Sequence, residues 1–171
     1  HFFNVCLHVL VTLLVWALAG LLLRIAPLKD RAGKDFQNHI PFLVALIYLV
    51  HPLQTQAVSY ISQRFESLAT LCYVSCVYCY LQARLAQHLK IRIVLFISSG
   101  ILALLGLLAK ETVITLPLML LAAEYIFANT LHKKQHKVKP LFILLGVFLF
   151  FWIFMKLMRG GWEMFYKTIP S

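Results

Sequence analysis

Charge is scarce in this chain. Asp, Glu, Lys and Arg make up 13% of its 171 residues, and only six of them are acidic. Soluble domains carry about 25%, so the chain has too little charge to clothe a water-facing surface. No soluble domain, low-complexity tract or linker can be read along it, apart from the polar loop Leu28–Asn38. The first apolar run carries no charged n-region or small-residue cleavage site, so Phe2–Leu23 is expected to be a span and not a signal peptide. Four cysteines, Cys6, Cys72, Cys76 and Cys79, require no disulfide. What is abundant is apolar: 61% of residues are hydrophobic and the mean hydropathy is +0.83. These values describe an all-α, polytopic integral membrane protein.

The apolar segments are Phe2–Leu23, Ile40–Val50, Ser67–Leu81, Ile93–Leu108, Thr112–Phe127 and Leu141–Met155. They are continuous rather than alternating, which indicates a bundle of about six membrane helices and not a barrel. Ile40–Val50 is too short to cross alone and must borrow flanking residues or end below the surface. The whole of 1–171 reads as one transmembrane domain. It opens on His1 directly before a span, so the reading expects an earlier crossing upstream.

Basic residues give the orientation. Arg24, Lys29, Arg31 and Lys34 follow the first span, Arg84, Lys90 and Arg92 the third, and Lys133, Lys134, Lys137 and Lys139 the fifth. If spans alternate, these eleven of 16 cations share one side, which the positive-inside rule makes cytoplasmic. The net charge of +10 then reflects topology and lipid headgroups, and no nucleic-acid partner is needed.

Lys110 and Glu111 stand alone in the apolar run Ile91–Phe127. One helix over that run would be roughly 55 Å long, against a hydrocarbon core of about 30 Å. The run must therefore fold back at Ala109-Lys110-Glu111-Thr112, leaving two opposite charges at a membrane face. The same outer face collects His51, Gln54, Gln56, Gln63, Arg64 and Glu66, together with Arg159, Trp162 and Glu163. Pro52 to about Gln87 reads as one long helix whose first part projects from or lies along that face.

A charge facing lipid at mid-depth costs about 2.5–3.5 kcal/mol, so Arg64, Glu66, Lys110 and Glu111 must face one another or a wet cavity. Two readings follow. In one, ion bridges such as Arg64 to Glu111 and Lys110 to Glu66 tie helices together. In the other, Arg64 and Lys110 neutralise a phosphate while the carboxylates orient them or meet a polar acceptor. His51 either bonds a ligand or caps a helix start. His1, Asn4 and His8 share a helix face suited to interhelical hydrogen bonds. Cys72, Cys76 and Cys79 form a stripe on the third span; no complementary ligand set accompanies them, so they read as small apolar contact residues and not as a metal site. Glu124 is expected to bond the basic inner side, and Pro117 to bend its span.

Three motifs in order carry a family resemblance. His51-Pro52-Leu53-Gln54-Thr55-Gln56-Ala57-Val58, followed by Arg64-Phe65-Glu66-Ser67-Leu68, resembles the HP-x-x-T-E/Q-A-V…R-x-x-x-L signature of the transmembrane and tetratricopeptide-repeat O-mannosyltransferases and their bacterial relatives. Ala109-Lys110-Glu111 with Thr115-Leu116-Pro117 resembles their S/T-K-E…(T/V)-x-P turn, and His1-Phe2-Phe3-Asn4-Val5-Cys6-Leu7-His8 their H-x-x-N-x-x-L-H helix start. The resemblance implies a partial GT-C glycosyltransferase fold, covering about the second to seventh membrane helices. It implies a polyprenyl-phosphate-linked sugar as donor substrate, no other cofactor, and transfer of a mannose-like hexose to a Ser or Thr hydroxyl of a protein acceptor. The family's catalytic carboxylates lie in a first outer loop that has no counterpart here, and neither has its repeat domain, so no residue of this chain is named as catalytic. His51, Arg64, Glu66, Lys110 and Glu111 are the lipid-phosphate or substrate-binding candidates, on the extracytoplasmic face of a bacterial inner membrane. The competing classes are a membrane transporter, against which stands the lack of an inverted repeat, and a non-catalytic structural membrane module.

Overall fold

The computed structural model describes residues 2–25, 34–52, 64–133 and 152. Every element among them is helical: α1 (Phe2–Ile25), α2 (Lys34–Val50), α3 (Arg64–Leu85), α4 (Leu89–Ala109), a 3-10 segment (Glu111–Thr115) and α5 (Leu116–Lys133). The sixth apolar segment, Leu141–Met155, lies outside the described residues except for Trp152, as does 53–63, the first part of the expected long helix.

α1 and α4 are long and apolar enough to cross a membrane, and only 22% and 17% of their most apolar windows is buried. Their large side chains, among them Leu10, Leu13, Trp16, Ile93, Val94, Ile97 and Ile101, face outward. A core helix of a soluble domain would hide them. α2 extends backward through Pro41 to Lys34, but its apolar part, His39–Val50, stays shorter than a candidate span. α3 is the central helix, packed on α1, α4 and α5. Its lower apolarity has the same origin, because Cys72, Cys76, Tyr80 and Arg84 are buried against neighbours and do not face outward.

The contacts fix the direction of each helix. His8 Nε2 donates to Leu49 O at 3.2 Å and stacks on Tyr48 with ring centres 5.5 Å apart, while Gly20 lies against Pro41, so α1 and α2 are antiparallel. The expected interhelical bond from the His8 face is present. Arg64 sits over the Phe3 ring near the start of both α1 and α3, which therefore run parallel. α4 returns along α3 after the short connection Ala86–His88, where Ala86 N donates to Gln82 O at 2.9 Å and Arg92 N to His88 O at 3.0 Å. α5 runs parallel to α3 again, since Lys110 meets Glu66 before it and Glu124 meets Arg84 along it. Alternation brings Arg24, Arg84 and the ends of α1, α3 and α5 to one end of the bundle, as the basic clusters require.

The α3/α4 seam is made of small residues. Ser99 Oγ donates to Cys76 O at 3.2 Å and lies 3.1 Å from Cys76 Sγ. A Cβ on Gly106 would stand 3.2 Å from Cys72 Cβ and 3.2 Å from a Val113 methyl. Cys72 and Cys76 thus act as packing residues in a close helix contact. The core continues through Leu21, Ile25, Val77, Leu81, Ala103, Leu116 and Leu120.

The fold-back falls where the charges place it, with one correction. α4 ends at Ala109, Lys110 is extended at φ −160° and ψ 139°, and a 3-10 turn intervenes before α5 begins at Leu116, not at Thr112. Pro117 consequently occupies the first turn of α5, where its missing N–H would have had no intrahelical partner, and it is not a mid-span kink.

Candidate functional site

The end of the bundle formed by the start of α3 and the end of α4 carries all five sequence-predicted residues. Glu66 lies in the first turn of α3, where the helix dipole favours a carboxylate. Lys110 occupies the extended link that follows α4, its N–H bonded to Gly106 O at 2.9 Å, and Val113 N donates to Lys110 O at 3.3 Å. This backbone path swings the lysine toward α3, and Lys110 Nζ reaches Glu66 Oε1 at 2.7 Å. The close passage permitted by Gly106, one turn earlier, is what allows the two chains to meet.

The other three residues are placed differently. Arg64 is exposed, and its guanidinium carbon lies 5.9 Å from the centre of the Phe3 ring. Among the described residues it makes no ion pair with Glu111, so the second of the two anticipated bridges does not form. Glu111 opens the 3-10 turn and is exposed. His51, also exposed, follows the end of α2, at the same end of the bundle as Phe3 and Arg64.

Beside the ion pair a cavity of about 250 Å³ is lined by Ala69, Thr70, Tyr73, Thr112, Val113 and Thr115. Two of its hydroxyls are held: Thr70 Oγ1 donates to Glu66 O at 2.8 Å and Thr115 Oγ1 to Thr112 O at 3.0 Å. Both oxygens keep acceptor lone pairs directed by those bonds. This lining is not legible in the sequence, because three threonines and a tyrosine in apolar runs give no signal until the fold brings α3 and the 3-10 turn together.

A second ionic cluster, at the opposite end, was also only half anticipated. Arg84 Nε donates to Glu124 Oε1 at 2.6 Å, Arg84 Nη2 to Glu124 Oε2 at 3.3 Å, and Tyr80 Oη to Glu124 Oε1 at 2.8 Å. Glu124 does bond a basic residue, yet the partner is a helix-borne, buried arginine and not a loop lysine. Side-chain exposure separates the two couples: 4% and 8% for Arg84 and Glu124, 35% and 48% for Lys110 and Glu66. The buried fork is a structural tie, since losing one partner strands a charge at a cost of about 3–5 kcal/mol. The half-exposed couple contributes at most about 1 kcal/mol. Lys110 can therefore exchange Glu66 for a competing anion at little cost to the fold.

No family model, curated protein or solved structure matches this chain.

Proposed function

We propose that this chain is the membrane part of a polyprenyl-phosphate-sugar-dependent glycosyltransferase, in which Lys110 and Arg64 bind the lipid phosphate on the extracytoplasmic face. The reading takes the bundle as about six spans of a GT-C-type fold in a bacterial inner membrane. One observation carries it: the Ala109-Lys110-Glu111 turn and the Arg64-Phe65-Glu66 segment, far apart in sequence, meet at 2.7 Å beside a hydroxyl-lined cavity.

The chemistry suits such a site. A polyprenyl phosphate leaves with little need for a proton, but its developing charge must be met by fixed cations. Lys110 supplies a point charge whose present partner is a weakly held carboxylate. Arg64, whose planar fork matches a phosphate, rests on Phe3 at the same end. The threonine-lined cavity offers acceptors and donors of the kind a sugar or a hydroxyl acceptor needs. The activating carboxylate and the acceptor-binding parts are assigned to no residue here. A transporter would place its charges near the midplane, whereas both ion pairs described lie toward the ends of α3.

The test is donor-lipid affinity beside melting temperature for the chain in lipid nanodiscs. Lys110→Gln should weaken polyprenyl-phosphate binding about tenfold, the loss of one charge-assisted contact. Its melting temperature should stay within about 4 °C of the parent. Unchanged affinity with a large loss of stability would reject the phosphate role. Glu66→Gln separates the readings further: it frees Lys110 and should leave affinity equal or higher if phosphate is the ligand.

A further inference from the structure

A cavity of about 420 Å³ lies between α1, α2 and α3, toward the end opposite the site above. One face of α1 forms its back wall. Trp16, Gly20 and Arg24 follow one another at i, i+4 and i+8, so they stack along a single stripe of that helix. Gly20 keeps the middle of the stripe open, because a Cβ there would meet only Pro41 of α2, at 3.8 Å. On the α3 side, Gln82 Nε2 donates to Tyr78 Oη at 3.0 Å, and both residues line the cavity.

The slot is thus graded along its length. Along α1, the outward-facing Trp16 stands with Ala17 at one end and Arg24, in the last turn, at the other, with Tyr78 and Gln82 on the α3 side. Arg24 is exposed and makes no ion pair among the described residues. Of the carboxylates whose side chains are described, Glu124 is taken by Arg84, and Glu66 and Glu111 lie at the other end; Asp35 falls in the first turn of α2, at the same end as Arg24. The sequence adds Lys29 and Arg31 directly after α1. A cation beside amide and phenol groups, about 12 Å along the helix from an outward-facing tryptophan at 1.5 Å rise per residue, suits a lipid whose anionic headgroup enters the polar cavity and whose chain runs along α1.

We infer that this cavity binds an anionic phospholipid, with the phosphate on Arg24 and Gln82 and one acyl chain lying along Gly20 toward Trp16. The inference is independent of the phosphate role given to Lys110, since the two sites occupy opposite ends and share no residue.

Trp16 reports on the acyl chain directly. The full chain, carrying Trp152→Phe and Trp162→Phe, is reconstituted with phosphatidylcholine and titrated with acyl-brominated phosphatidylglycerol or acyl-brominated phosphatidylcholine. Trp16 fluorescence should be quenched at about fivefold lower mole fraction of the anionic lipid, the effect of one basic contact. Arg24→Gln should abolish that preference, and Arg24→Lys should retain most of it with an unchanged melting temperature. Gly20→Leu, which fills the slot, should reduce quenching by both lipids. Inorganic phosphate at the lipid's own concentration should displace nothing. Equal quenching by the two lipids, a preference that survives Arg24→Gln, or displacement by inorganic phosphate would each overturn the inference.

Discussion

At the scale of single residues, two ion pairs of similar composition do opposite work, and burial decides which does which. Arg84 and Glu124 are withdrawn from solvent and satisfied by three hydrogen bonds with Tyr80. Glu124→Gln should therefore cost about 3–5 kcal/mol, by leaving the guanidinium without its counter-charge. Replacing both by apolar residues, Arg84→Met with Glu124→Leu, should recover most of that loss, which chemical denaturation of the two variants in detergent would measure. Tyr80→Phe should cost about 1.5–3 kcal/mol, the range for a hydrogen bond to a charged group. Lys110 and Glu66 were legible in the sequence because charges in an apolar run must find each other, and one of the two anticipated bridges is the one observed. The position of Arg64 was not legible. Its neighbour is the Phe3 ring, brought there by the packing of α1, and an aromatic residue at the start of an apolar helix carries no mark of the cation it will meet.

At the scale of elements, the turn between α4 and α5 depends on a glycine. Gly106 stands so close to Cys72 and Val113 that an added methyl would force each to yield by a few tenths of an ångström. Gly106→Ala should destabilise the bundle by about 1–3 kcal/mol, the usual cost of overpacking. The displaced end of α4 should also weaken the Lys110 to Glu66 contact, seen as a changed chemical shift of a ¹⁵N-labelled Lys110 ammonium. Cys72→Ala added to Gly106→Ala leaves the Val113 contact in place and should restore only part of the loss. The fold-back itself was readable from length alone, since roughly 55 Å of helix cannot fit a core of about 30 Å. The 3-10 segment was not, because Glu111–Thr115 contains no glycine or proline to announce a change of helix type. Pro117 was misplaced for a related reason: a proline within an apolar run reads as a kink until the helix start is known.

At the scale of the molecule, the alternation of helix directions places Arg24, Arg84, Lys90 and Arg92 toward one end and the site, with Arg64 and Lys110, at the other. Impermeant thiol reagents should label Glu111→Cys from outside intact cells in a background lacking the native cysteines, and Gln87→Cys only after permeabilisation; both positions are exposed. The reverse pattern would invert the orientation and move the proposed site to the cytoplasm. α3 carries Glu66 near its start and Arg84 near its end, about 27 Å apart at 1.5 Å per residue. If α3 spans the membrane as proposed, that separation makes it a gauge for bilayer thickness, close to the hydrocarbon depth of an average membrane. The Arg84 couple is shielded by protein at any thickness. The half-exposed Lys110 couple is not, so a thicker bilayer would draw acyl chains over the lysine and a thinner one would leave it hydrated. Membrane thickness would then act on the Lys110 end of the molecule while leaving the opposite end untouched.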